Sequence, residues 1–225
     1  MRPLPSAARI SRVWPLVSAG SALVVVAALA AIIFYREQDK PFGFEVEWMS
    51  EIVEHRSTFW TVPALVFNSL GGGILAIFVV PVVVIVALLV WRRPWAALYF
   101  AIAVAACPLL VQLLKKSIGR PRPTDILVTA DFGSFPSGHS ANAAVMAAVL
   151  GIVFWRTWVW VAGALYTVAM MLSRTYLGAH WISDTVGGML VGAGIAVIIW
   201  APFAAKLQAE KLKPHPPIWS RRALG

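Results

Sequence analysis

Apolar runs bounded by charged or turn-forming residues set the pattern of this chain. They extend over about 16–35, 61–91, 95–114, 140–155, 158–172 and 181–203. A helix needs about 20 apolar residues to cross a hydrocarbon layer of about 30 Å, and inside lipid it satisfies its own backbone groups. The pattern therefore predicts an all-α integral membrane protein, six transmembrane helices in a bundle, as a single domain over residues 1–225. The first run follows Arg2, Arg9 and Arg12 and continues through Ile32-Ile33-Phe34 beyond its small residues, which favours a retained span over a cleaved signal. The second is broken near its start by Asn68-Ser69-Leu70-Gly71-Gly72-Gly73, an irregular beginning or a place of close backbone packing.

The connections differ in kind. Residues 37–56 are acid-rich, with Glu37, Asp39, Glu45, Glu47, Glu51 and Glu54. Trp48/Met49, Ile52/Val53 and Phe59/Trp60 recur there near helical spacing, so an amphipathic helix on the membrane surface and a solvated loop both fit. Trp91-Arg92-Arg93-Pro94 and Arg156-Thr157 are short basic turns. Residues 115–138 form a loop in which Pro121, Pro123 and Pro136 exclude regular helix. The tail, 206–225, is basic and proline-rich, and His215 in it is expected in solvent.

Composition supports the membrane assignment: 60% of residues are hydrophobic and only 13% charged, about half the charged share of a soluble globule. The net charge of +9 suggests nucleic acid in a soluble chain. Here bilayer orientation and an anionic substrate explain the cations, and no nucleic-acid partner is called for. Six spans place both termini on one side with Arg92, Arg93, Arg156, Lys206, Lys211, Lys213, Arg221 and Arg222. The positive-inside rule makes that side cytoplasmic and turns the remaining polar stretches outward. Tryptophans 14, 91, 95, 155, 158, 160 and 200 at the inner ends, and 48, 60 and 181 at the outer ones, match aromatic belts. Cys107 is the single cysteine and reads as a packing residue.

Two polar stretches between spans carry the chemistry, because charge held in a bilayer is costly unless it acts. In the first, prolines stiffen Arg120-Pro121-Arg122-Pro123 after Lys115; fixed guanidinium groups suit planar recognition of phosphate, although a basic patch for lipid headgroups also fits. Pro136-Ser137-Gly138-His139 precedes the fourth span. Ser137 or Ser134 can cap that helix, Gly138 lets an oxyanion approach the backbone, and His139 can donate a proton. A capped helix with an interfacial histidine fits equally well. In the second stretch His180 and Asp184 are four apart, on one helix face, where a carboxylate at Nδ1 leaves Nε2 outward as a nucleophile. An inert His–Asp pair is the plain alternative. Arg174 adds another cation. Outside the first loop only Asp125, Asp131, Asp184 and Glu210 are acidic, too scattered for a metal clamp on phosphate.

Lys115 with Arg122-Pro123, then Pro136-Ser137-Gly138-His139, then Ser173-Arg174 with His180 and Asp184, resemble in order and spacing the motifs of the type 2 phosphatidic acid phosphatases (PAP2). These are lipid phosphate phosphatases that share a site with vanadium haloperoxidases. The resemblance implies that His180 attacks phosphorus to give a phosphohistidine and that Asp184 orients it. It implies that His139 protonates the leaving group and then activates water. It assigns phosphate binding to Lys115, Arg122, Ser137, Gly138 and Arg174, with Lys116 and Arg120 outside the motif as supports, and it requires no metal and no cofactor. A span from Ser140 to Trp155 rises only about 24 Å, which sets His139 near the membrane surface, within reach of a lipid phosphate. Polyprenyl pyrophosphate, phosphatidic acid and phosphatidylglycerol phosphate are the candidate substrates. A lipid phosphotransferase and a catalytically dead lipid-binding protein are the alternatives, and the oligomeric state is not legible.

Overall fold

The computed structural model describes residues 13–35, 40–215, 217 and 218. Arg2, Arg9, Arg12, Glu37, Asp39, Arg221 and Arg222, counted above for orientation and for the acidic loop, lie outside the described residues. The elements are α1 (Val13–Tyr35), α2 (Gly43–Glu54), α3 (Thr58–Gly71), a π-helical turn (Leu75–Val79) leading into α4 (Val80–Val90), α5 (Pro94–Ile118), α6 (Gly138–Phe154), α7 (Thr157–Tyr176) and α8 (Ile182–Lys211). Among the described residues every regular element is helical, as the pattern predicts.

Helix limits follow local chemistry. Pro94 occupies the first turn of α5, where its missing N–H costs nothing, and Gly119 ends that helix in the left-handed conformation. Ser137 caps α6, its hydroxyl accepting from Ser140 N. Several helices run past the apolar runs that announced them. α5 reaches Ile118, so Lys115 sits in its last helical turn and the loop begins only at Gly119. α7 carries Arg174 in its last turn, and α8 carries Asp184 in its first. The acid-rich segment is helical (α2), but one of its acids, Glu45, is fully buried.

α6 is the centre of the bundle and packs against α5, α7 and α8. Its contact with α8 is made at Gly188 and Gly192, where any Cβ would collide with the carbonyls of Ser137 and Ala141. A small-residue stripe of this kind lets two helices approach closely where lipid supplies no hydrophobic drive. Tyr99, Phe100, Ala103 and Cys107 of α5 fill the core beside Val145 and Val149 of α6 and Ala196 of α8. The Tyr99 hydroxyl, in this apolar setting, donates to Ala196 O at 2.8 Å.

Around that core the outward faces are apolar: Val82, Val83, Val86, Leu109, Leu113, Val161, Leu165 and Val168 are all exposed. So extensive an exposed apolar surface identifies an integral membrane protein. Among the described residues α5 and α8 are each long and apolar enough to cross a membrane. The α3 and π-turn/α4 segments, bent by 46° at the glycines, qualify together as a third. α6 is shorter, with 17 residues.

At the end of the bundle away from the 119–137 loop, Glu210 accepts from Trp95 N and Ala96 N at 2.9 and 3.1 Å and lies 3.9 Å from Arg93. A carboxylate at a helix N-terminus satisfies its free N–H groups and complements the dipole. It ties α8 to α5. His215, expected in solvent, instead has both ring nitrogens buried.

Candidate active site

Four helix ends meet at the other end of the bundle: the C-termini of α5 and α7 and the N-termini of α6 and α8. Each delivers part of the chemistry, and together with the 119–137 loop they enclose a cavity of about 290 Å³. Lys115, Arg122, Gly138, His139, Arg174 and His180 are on its wall. The N-terminus of α6 adds a dipole suited to an anion. On one flank the wall turns apolar, with Ile77 from the π-turn and Val104, Cys107, Pro108 and Val111 from α5. Ile77 is itself half exposed on the membrane-facing surface, so the apolar flank leads outward toward lipid.

Arg122 and His180 touch. An Arg122 terminal nitrogen lies 3.3 Å from His180 Nε2. Guanidinium groups only donate, so Nε2 is the acceptor and the ring proton sits on Nδ1. Burial, and then the charges of Arg122, Arg174 and Lys115, push the His180 pKa well below the ordinary imidazole value. The ring is therefore neutral, with a lone pair on Nε2 facing the cavity. Such a nitrogen is a nucleophile in waiting.

Asp184 stands behind that ring but does not bond to it as the spacing suggests. His180 precedes α8 rather than belonging to it, and its Nδ1 lies 3.7 Å from Asp184 Oδ2, beyond hydrogen-bond range. Asp184 is held from elsewhere. Oδ2 accepts from Trp181 N at 2.8 Å, and Oδ1 accepts from Arg120 at 2.6 Å. Arg120 also donates to Glu45 at 2.7 Å and to the Ser183 hydroxyl at 2.7 Å. The other Glu45 oxygen receives Ser183 N and Oγ at 2.8 and 2.6 Å. The side chains of Arg120, Glu45 and Asp184 are wholly buried. This carboxylate–guanidinium–carboxylate network ties α2 to the start of α8 and keeps Asp184 in register beside His180.

The glycines that interrupt the second span seat His139. A Cβ on Gly72 would stand 2.6 Å from His139 Nε2, and one on Gly71 would stand 2.9 Å from Cδ2. His139 Nε2 lies 3.2 Å from Asn68 O, and the Asn68 side-chain oxygen accepts from Arg174. A carbonyl only accepts, so this contact places a proton on Nε2. The broken span thus carries one histidine and one arginine of the site.

Among the described residues one acid lines the cavity with these cations. Asp131 Oδ1 receives Lys115 Nζ at 3.1 Å and Arg122 at 2.7 Å. Burial works to raise the Asp131 pKa, but Lys115, the Gln112 hydrogen bond and Arg122 outweigh it and hold the carboxyl below its ordinary range.

Of the residues singled out in the sequence, Lys115, Arg122, Gly138, His139, Arg174 and His180 share the cavity. Ser137 does not line it: its side chain is buried and caps α6, while its N–H donates to Asp184 O at 2.9 Å. Asp184 lies behind His180. Sequence reasoning offered close backbone packing at Gly71 and Gly72, which the structure shows, but not its partner His139; it passed over Asn68, and took Glu45 as one acid among six and Asp131 as a scattered carboxylate. Asp131 shares its loop with Asp125, so even its charge did not set it apart in the sequence.

A description of the PAP2 superfamily matches residues 96–207. The chain is 32% identical over 127 residues to phosphatidylglycerophosphatase B of Bacillus subtilis (strain 168), covering 51% of this chain and 63% of that protein. It is 31% identical over 132 residues to a lipid A 1-phosphatase of Rhizobium etli (53% and 56%) and 33% identical over 78 residues to an undecaprenyl-diphosphatase of Sulfolobus acidocaldarius (35% and 34%). The chain thus spans less than two thirds of these relatives' length. Among solved structures, a transmembrane PAP2 type phosphatidylglycerolphosphate phosphatase from Bacillus subtilis aligns with a TM-score of 0.72 at 25% identity, covering 88% of this chain and 99% of that one. Aquifex aeolicus LpxE aligns with a TM-score of 0.62 at 25% identity, covering 71% and 96%.

Proposed function

Because this chain belongs to the PAP2 superfamily, we propose that it is a metal-independent phosphatase of membrane lipids, acting on a phosphomonoester or a terminal pyrophosphate. The contact between Arg122 and His180 Nε2 at 3.3 Å, inside a cavity shared with Lys115 and Arg174, carries this reading. Phosphoryl transfer asks for in-line positioning and neutralised phosphate oxygens, and three cations around a neutral imidazole supply both. His180 Nε2 forms a bond to phosphorus as the bond to the lipid oxygen breaks, and His139 gives that oxygen a proton. Water then attacks the phosphohistidine, passing a proton to His139. The P–N bond breaks, inorganic phosphate leaves, and both histidines return to their starting state. Asp184, beside Nδ1, favours the imidazolium character that develops during attack.

The apolar flank from Ile77 to Val111 accommodates the tail of the lipid, with polyprenyl pyrophosphate, phosphatidic acid and phosphatidylglycerol phosphate as candidates. We read the chain as one domain of six spans, with α1, the bent α3/α4 pair and α5 to α8 each crossing the bilayer. Arg92, Arg93, Arg156, Lys206 and Lys211 lie at the turns and helix end opposite the site, which supports cytoplasmic termini and a site facing outward across the plasma membrane.

The test is phosphate release by the purified protein, in detergent with EDTA, across a panel of polyprenyl, glycerophospho- and sugar-lipid phosphates. Release from at least one substrate is expected, with none from a folded His180→Ala variant. Undiminished release by that variant would remove the nucleophile, and release that requires added Mg²⁺ would point to different chemistry.

A further inference from the structure

Asp131 stands where oxygens of a bound phosphate are needed. Its Oδ1 bridges Lys115 Nζ and Arg122, at 3.1 and 2.7 Å, while Oδ2 receives Gln112 Nε2 at 3.1 Å. Among the described residues it is the one acid on the cavity wall. Glu45 and Asp184, the carboxylates that hold Arg120, are wholly buried, but the Asp131 side chain is 51% exposed. Its cationic partners are anchored independently: Lys115 also donates to Gly133 O at 2.8 Å, and Arg122 to Gly133 O at 2.7 Å and to Ala179 O. Rotation of one half-exposed side chain therefore frees two cations that stay in place. That is the arrangement of a placeholder rather than of a strut.

We propose that Asp131 is a specificity-determining residue of the phosphate site. Its carboxylate holds Lys115 and Arg122 until a doubly charged phosphate displaces it, and so excludes the singly charged phosphodiester headgroups of the surrounding bilayer. The proposal rests on the phosphatase reading above. A terminal phosphate carries about 1.5 to 2 negative charges at neutral pH and offers three oxygens. Exchanging the carboxylate for it adds about 0.5 to 1 negative charge beside three fixed cations. A phosphodiester carries a single charge and two unesterified oxygens, so the same exchange gains nothing electrostatically. The tethered carboxylate also holds the advantage of high effective concentration. A site that opens toward lipid meets phosphodiesters far more often than substrate, and a cationic cavity without an internal anion would be filled by them.

Binding of inorganic phosphate, read from its concentration-dependent shift of the thermal unfolding midpoint in neutral detergent, tests this. Measurements on the full chain, Asp131→Asn and Asp131→Glu are made with and without phosphatidylglycerol. Removing a competing internal ligand raises apparent affinity by the reciprocal of the fraction of sites it left free. Asp131→Asn is expected to bind phosphate roughly tenfold tighter. Phosphatidylglycerol is expected to compete with phosphate in that variant and not in the wild type, and Asp131→Glu should restore wild-type behaviour. Unchanged or weaker phosphate binding in Asp131→Asn would make the carboxylate a support for Arg122 and overturn the proposal. Equal competition by phosphatidylglycerol in wild type and Asp131→Asn would do the same, as would a Glu variant that behaves like the Asn one. If phosphate binds the wild type but no tighter to Asp131→Asn, only this proposal falls. Phosphate binding to neither protein would overturn the phosphatase reading along with it.

Discussion

Arg120 and Arg122 are two residues apart in one proline-stiffened segment, yet they serve opposite ends. Arg120 is wholly buried between two wholly buried carboxylates, and it also donates to a serine hydroxyl. Arg122 lines the cavity, and the one acid it pairs with is half exposed. The first network is closed: one cation meets two carboxylates inside the protein, and none of the three lines the cavity. The second is open: Lys115, Arg122 and Arg174 outnumber Asp131 around a hollow. A buried guanidinium whose charge is met internally acts as structure; one whose charge is met only provisionally awaits an anion. The difference separates what holds the site from what uses it, and each side can be perturbed alone.

The largest expected effect falls on the closed network. Arg120→Met leaves Glu45 and Asp184 buried without their cation, and removing one partner of a buried pair costs about 3–5 kcal/mol. Thermal unfolding in detergent measures this; a midpoint close to wild type would show that water reaches these carboxylates. Arg122→Ala comes next and should act on rate. Loss of one preorganised donor costs on the order of 10²–10³ in turnover, while the unfolding midpoint of this cavity-lining variant stays near wild type. A variant that lost stability but kept its turnover would reverse the assignment of the two arginines. The smallest effect is expected at Gly72→Ala, whose Cβ would stand 2.6 Å from His139 Nε2. Displacing His139 by a fraction of an ångström should lower kcat about 10- to 100-fold, with phosphate binding unchanged. A loss of phosphate binding instead would mean that the glycines shape the cation cage and not the histidine seat.

Much of the site was legible because its residues sit in short, spaced segments at helix ends. Lys115, Arg122, Gly138, His139, Arg174 and His180 share one cavity, and the resemblance of their motifs to those of a known family had grouped them. Residues that act through a third dimension were not legible. Glu45 is 75 residues from Arg120, and Asn68 is 106 from Arg174. Neither separation leaves a local pattern, and an acid in an acid-rich helix looks solvated until packing buries it. Ser137 was open in the sequence between helix cap and phosphate ligand, and in the structure its hydroxyl caps α6.

The order of apolar runs and the motif spacing by themselves determined a helical membrane protein with cations and histidines gathered at one end, because lipid forces backbone groups to close within each segment. Tertiary packing alone decided which arginine is neutralised and which stays available, and whether Asp184 reaches the histidine ring or the guanidinium behind it. It also decided how a run of glycines becomes the seat of His139. Those outcomes depend on distances between helices, and a distance between helices is set by side chains from many places in the chain at once.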